Sequence, residues 1–231
     1  MPPPTKGCDN LRKNLAAGFP PAAFFFYAVP MTCQLDHLVV AARTLGEGIG
    51  HIAQRLGVTP TPGGKHARMG THNALLSLGP DCFLEVISID PEAAAPESPR
   101  WFGLDRFTGI PRLVNWVART QSIHGLPAPD EPVLDMQRGD FRWRFAGPAD
   151  GRPRLAGTVP ALIQWQDGGH PCNRLPDHGL RLKRLTLSYA ENGRLQDELA
   201  RLGLAERVHL AGNGAALRAE ILVAGKVVEL V

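Results

Sequence analysis

The sequence predicts an α+β fold built from repeated βαβββ units, and three observations carry that expectation. The order strand–helix–strand–strand–strand occurs over residues 35–89 and again over 181–231. Glycine and proline are frequent, 25 and 21 in 231 residues, but aperiodic, which suits short strands joined by turns and excludes a coiled coil or helical bundle. Both copies also end on a strand with a glutamate, Glu85 in FLEVI and Glu229 in VVELV.

In the first copy, LDHLVVA (35–41) is a strand with apolar residues on both faces, as in a sheet covered on both sides. Leu45, Ile49, Ile52, Ala53 and Leu56 follow at helical spacing, and Gly57 ends the helix. GGKHARMG, HNALLSLG and CFLEVISI read as three strands separated by glycines. In the last copy, RLKRLTLSY (181–189) is a strand, Leu195, Leu199 and Leu202 mark a helix ending at Gly203, and RVHLAG, ALRAEILVAG and KVVELV are strands. A weaker copy lies between them, over 112–167. LVNWVART (113–120), FRWRFAG (141–147) and ALIQWQD (161–167) are its strands, and the three prolines of SIHGLPAPDEP leave its helix missing or reduced. Pro-rich joints fall at 91–99 and 170–178.

Composition narrows the functional classes. Of the formal net charge of +3, residues 1–30 hold +2, from Lys6, Arg12 and Lys13 against Asp9. The remaining chain has no basic excess with which to grip phosphates, so nucleic acid is not expected as a partner. No apolar run is long enough to span a membrane. Cys8, Cys33, Cys82 and Cys172 form no C-x-x-C pair, which points to a reducing cytosol rather than a disulfide framework or zinc knuckle. Residues 1–30 do not conform to the rest and read as a leader from an upstream translation start, with Met31 opening the domain proper. The competing reading, a secretory signal, meets Pro20 and Pro21 in the apolar part and no small-x-small cleavage site.

LDHLVVA, GGKHARMGTHNALLSLG, FLEVISID, RWFGLD, WVART and PALIQW followed by His170-Pro171 resemble the glyoxalase-like proteins of the vicinal oxygen chelate superfamily, over about Leu35–Pro171. The resemblance implies that two βαβββ modules pair into a curled eight-stranded cup, with residues 31–170 forming the glyoxalase-like domain and 180–231 a third C-terminal module. It also implies a divalent metal ion held by one ligand from the first and one from the last strand of each module, acting as a Lewis acid on neighbouring substrate oxygens. Carried over residue by residue, His37 and Glu85 match the two ligands of the first module. Gln164 takes the last-strand position of the second, and Leu113, Asn115 or Trp116 the first-strand position, according to register. The third module offers Glu229, but Arg184 where a ligand would stand. The expected metal set, His37, Glu85 and Gln164, is therefore incomplete.

The residues themselves point to the same region. Glu85, flanked by Phe83, Leu84, Val86 and Ile87, is costly to bury without a partner, and His37 is the expected one. The alternative is a His–Glu hydrogen bond that only supports the sheet. His66 is a further catalytic candidate because GG-x-H matches the family pattern; a bulge at Gly70 decides whether His72 shares its face. His72, Asn73 and His170 are candidate substrate contacts. Trp116 and Trp165 serve either packing or an aromatic substrate wall; Trp101 and Trp143 read as core. Two functions compete: an enzyme of isomerase, lyase or dioxygenase type acting on a small oxygenated molecule, and a non-catalytic protein that sequesters a small ligand in a cup with a degenerate metal site. A third module left unpaired in one chain has a face or edge to cover, which predicts a homodimer through residues 181–231.

Overall fold

The structure, a computed structural model, describes Met1 and residues 33–231; the reading of residues 1–30 falls, apart from Met1, outside them. Strand β1 (Gln34–Ala41) is apolar on both faces and is buried along all but its first two residues. Helix α1 (Leu45–Leu56) begins where Thr44 Oγ1 accepts from the Glu47 N–H and ends where Gly57 takes the left-handed conformation, φ 70°. It buries Gly48, Ile52 and Leu56. A side chain at Gly48 would overlap Val86 and Ala42, so the glycine is what lets the helix lie close on the sheet. Strands β2 (Thr61–His66), β3 (Thr71–Ser77) and β4 (Phe83–Ile89) complete the first module.

The second module contains β5 (Arg112–Arg119), β6 (Val133–Arg138), β7 (Phe141–Ala146) and β8 (Ala161–Trp165), with no helix between β5 and β6. The eight strands form one sheet in the order β2-β3-β4-β1-β5-β8-β7-β6. β4 runs parallel to β1 and β8 parallel to β5, while β1 and β5 pair antiparallel at the centre. The sheet curls so far that its edge strands meet, Arg138 at the end of β6 standing 3.3 Å from His66 at the end of β2. The expected cup is therefore present.

The third module repeats the element order with β9 (Arg181–Ser188), α2 (Asn192–Arg201), β10 (His209–Ala211), β11 (Leu217–Val223) and β12 (Lys226–Leu230). Its strand order, β10-β9-β11-β12, differs from that of the first. In the first module the last strand returns beside β1. Here the short β10 takes that parallel place beside β9, and β12 stays at the edge, paired with β11 alone. Glu229 consequently lies opposite Glu220 and near Arg218 at 3.7 Å, not beside the first strand as Glu85 does.

Strand alternation sorts the core into two clusters. Leu38 and Val40 of β1 face outward with Ile52 and Leu56 of α1, Trp116 of β5, and Leu185, Leu187, Leu195 and Leu199 of the third module. Val39 and Ala41 face the inside of the cup with Trp101, Phe102, Trp143 and Phe145. The third module thus covers the convex face of its own chain's sheet, and backbone bonds from Cys33 N to Leu202 O and from Leu182 N to Leu78 O fasten it there. One face of the third module is thus covered within its own chain, while its edge strand β12 pairs on one side only. No described helix is long and apolar enough to cross a membrane.

Candidate functional site

The cup interior narrows to a cavity of about 30 Å³, room for a group of a few atoms. Its walls bring together His37, His66, Asn73, Glu85 and Arg138 among the aromatic rings of Trp101, Phe102, Trp143, Phe145 and Trp165. His37 is there because odd-numbered residues of β1 point inward, and Glu85 because odd-numbered residues of β4 do the same. The parallel register sets Glu85 beside Val39, one step along from His37, and the His37 Nε2 lies 3.6 Å from the Glu85 Oε2.

Asp36 departs from this alternation. Between Leu35 and His37 the pairing with β5 shifts by one residue, a bulge that leaves Asp36 as the extra residue and turns its carboxylate towards the side of its neighbour. Asp36 is completely buried and accepts from three side chains: His37 Nδ1 at 2.6 Å, Trp165 Nε1 at 2.9 Å and His170 Nε2 at 3.0 Å. Burial alone would raise its pKa, but the hydrogen bonds from His170 and His37 outweigh burial and hold it well below the usual carboxylate range. For His37, burial opposes the charged form, yet the bonds to Asp36 and Glu85 lift its pKa to about 9. Glu85 is likewise opposed by burial and brought down to about 2 by His37, with Asn73 Nδ2 donating to its Oε1 at 2.5 Å. At neutral pH the floor of the cup is an imidazolium held between two carboxylates.

The opposite wall is arranged around His66. Asn73 Nδ2 at 3.4 Å and Arg138 Nη1 at 3.3 Å both point donors at its Nε2, so Nε2 accepts and Nδ1–H donates to Thr71 Oγ1 at 3.0 Å. This is a neutral imidazole, and burial drives its pKa down to about 4. Arg138 donates to Asn73 Oδ1 at 2.8 Å and forms no ion pair among the described residues. A half-buried guanidinium facing a cavity without a carboxylate of its own is an open place for an oxygen of a ligand.

Other expected residues lie elsewhere. Gln164 alternates away from Ile163 and Trp165, which face the cup. Its amide is spent on the Ile123 N–H and the Gln121 carbonyl, at 3.2 and 2.9 Å, so it is no ligand here. Trp116 is fully buried in the outer cluster with Nε1 donating to the Thr158 carbonyl, so it packs rather than lines the cup. Leu113 joins the same cluster, and Asn115 Oδ1 accepts from the Trp116 N–H. His72 pairs across with Lys65 while His66 pairs with Thr71, and residues opposite one another share a face; His72 therefore points away from the cup, a result of the turn at 67–70. His170 stands behind Asp36, edge-on to Phe83 and Trp165, as a supporting residue.

These positions do not fit the divalent ion that the resemblance implies. Of the expected set only His37 and Glu85 converge. Among the described residues no three histidine, cysteine, aspartate or glutamate side chains do so as a cation would need, and the side facing the pair presents the Arg138 guanidinium.

The sequence pattern of the glyoxalase-like domain family matches residues 35–203. No curated protein matches. Among solved structures, a hypothetical protein from Staphylococcus aureus superposes with a TM-score of 0.54 at 10% identity, covering 86% of this chain and 84% of that one. Methylmalonyl-CoA epimerase from Mycobacterium tuberculosis superposes at 0.40 and 17% identity, over 61% of this chain and 92% of its own. At 10% identity the likeness to the first of these is one of fold.

Proposed function

We propose, since this chain belongs to the glyoxalase-like domain family of the vicinal oxygen chelate superfamily, that the cup between its first two modules binds a small oxygenated molecule and shifts a proton on it. The observation that carries this reading is His37 held between Asp36 and Glu85 against the cavity. Asp36 fixes the ring through Nδ1, leaving the Nε2 proton directed at the space shared with Glu85. A ligand oxygen entering there separates the imidazolium from Glu85. His37 then donates its Nε2 proton to that oxygen, and the released Glu85 carboxylate accepts a proton from the adjacent carbon. These two transfers convert the carbonyl compound into its enol, and their reverse returns the carbonyl form and restores both groups, so the step is a reversible tautomerisation with no net gain or loss of protons. Arg138 binds and orients a second oxygen of the same molecule, and the neutral His66, whose Nε2 accepts from the guanidinium, helps to hold Arg138 in place. No step is assigned to a metal, because the donor set does not suit one.

Sequestration without chemistry is the second reading, and the aromatic lining of Trp101, Trp143, Phe145 and Trp165 favours it. Proton NMR of a panel of 2-oxo and 3-oxo acids in deuterium oxide separates the two. Tautomerisation predicts exchange at the carbon beside the carbonyl, slowed by at least about 100-fold in His37→Gln and Glu85→Gln. Binding of a panel member with no exchange would leave sequestration standing.

A further inference from the structure

A second concavity of about 640 Å³ opens beside the cup, between the outer side of the segment around Trp101–Arg106, the start of β5 and the third module. Its volume is that of an ordinary small-molecule site, whereas the cup alone holds a few atoms. Phe102 lines both spaces and so lies between them. Its backbone is in the left-handed region, φ 59°, an uncommon state for an aromatic residue, and Ala156 on the groove wall is in the same region at φ 56°. The Gly103 N–H bond to the Gly151 carbonyl, 2.7 Å, holds the segment in place.

The charged side chains of the groove are all of one sign, and the last residue, Val231, lines it with them. His51, Arg55, Arg106 and Arg112 line it, and no aspartate or glutamate side chain does. Arg106 has no hydrogen-bond or ion-pair partner among the described residues. Between these cations the walls are apolar, with Phe107, Leu217 and Ile110, the last 74% exposed. We infer that this groove binds the tail of the cup's substrate, an apolar chain ending in a phosphate or carboxylate, with the reacting head reaching His37 past Phe102. The assignment rests on the reading of the cup as the reaction site, while binding in the groove itself does not.

Calorimetric titration of the full chain with n-octyl phosphate, n-octyl carboxylate (nonanoate) and n-octanol tests it. The two anions are expected to bind saturably, more weakly as salt rises, and at least about tenfold more tightly than octanol. Which anion binds more tightly tells phosphate from carboxylate. Arg106→Glu, at a side chain with no internal partner, is expected to weaken the anions about tenfold and leave octanol unchanged. His37→Gln should bind as the parent does, which separates the groove from the chemistry. Equal binding of octanol, unchanged affinity in Arg106→Glu, or no binding of either anion would overturn the inference. Where deuterium exchange is observed, octyl phosphate should inhibit it; binding without inhibition would detach the groove from the cup's substrate.

Discussion

Asp36 and His37 show how far single residues control this site and how much of them could be read beforehand. An aspartate–histidine pair in an otherwise apolar strand is visible in LDHLVVA, yet plain alternation sends the two side chains to opposite faces. Only the one-residue shift against β5 puts both in one network, and a shift of that kind has no signature in the strand's own composition. Gln164 fails for the converse reason: it matches the family position in the sequence, but its pleat places it outside the cup. The charges give a test at this scale. His37 has its folded pKa raised to about 9, above the ordinary 6.5, so its stabilisation is fully present below pH 6.5 and is lost as pH rises through 9. His66 is depressed to about 4, so its contribution is present above pH 6.5 and is lost as pH falls through 4. Each limb is of the order of 3 kcal/mol at roughly 1.4 kcal/mol per pKa unit. Urea midpoints measured from pH 4 to 9.5 should peak near pH 6.5. His37→Gln should flatten the alkaline side, and it should also alter the acid side, because Asp36 and Glu85 lose the cation that holds their pKa values down.

Elements were easier to read than the connections that shape the cavity. The limits of α1 and the run of β1 followed from helical spacing, Gly57 and two-sided apolarity. β6, which brings Arg138, carries no clear strand signal, because VLDMQR is half exposed and its charges obscure the alternation. Trp101 reads as core, and it and Phe102 are indeed buried, but they are core because the chain bends through left-handed backbone to insert them into the cup. Gly151 is the other half of that arrangement. Its φ is 72°, and a side chain there would collide with the Arg100 carbonyl. Gly151→Ala is therefore expected to cost about 1–3 kcal/mol and to loosen the Trp101–Phe102 segment. Acrylamide quenching of tryptophan fluorescence should rise in this variant while the native far-UV spectrum persists; unchanged quenching would mean the segment is held by other contacts.

For the whole molecule, the repeat visible in the sequence predicts the parts but not their arrangement. The element order of residues 181–231 matches the first module. The place of β12, and the use of this unit as a cover for the convex face, depend on long-range packing that a local pattern does not encode. A common core spanning that cover and the back of β1 should make the chain unfold as one body. All four tryptophans precede the third module. Leu195→Ala, a change in α2 at a side chain with no solvent exposure, should nevertheless cost about 2–5 kcal/mol and move the tryptophan-monitored urea transition together with the circular dichroism transition. Two separated transitions would show the third module folding independently.

Strand β1 has a wider consequence. One short stretch of backbone carries the His37 imidazole on its front and, on its back, Leu38 and Val40 packed beneath the C-terminal leucines. The amide hydrogens of residues 37–40 should thus be among the slowest in the protein to trade with heavy water, released only when everything opens. Lesions far along the chain that never meet a ligand would then silence the chemistry by freeing this strand, and a screen for lost activity would gather substitutions in residues 180–230 as readily as in the pocket.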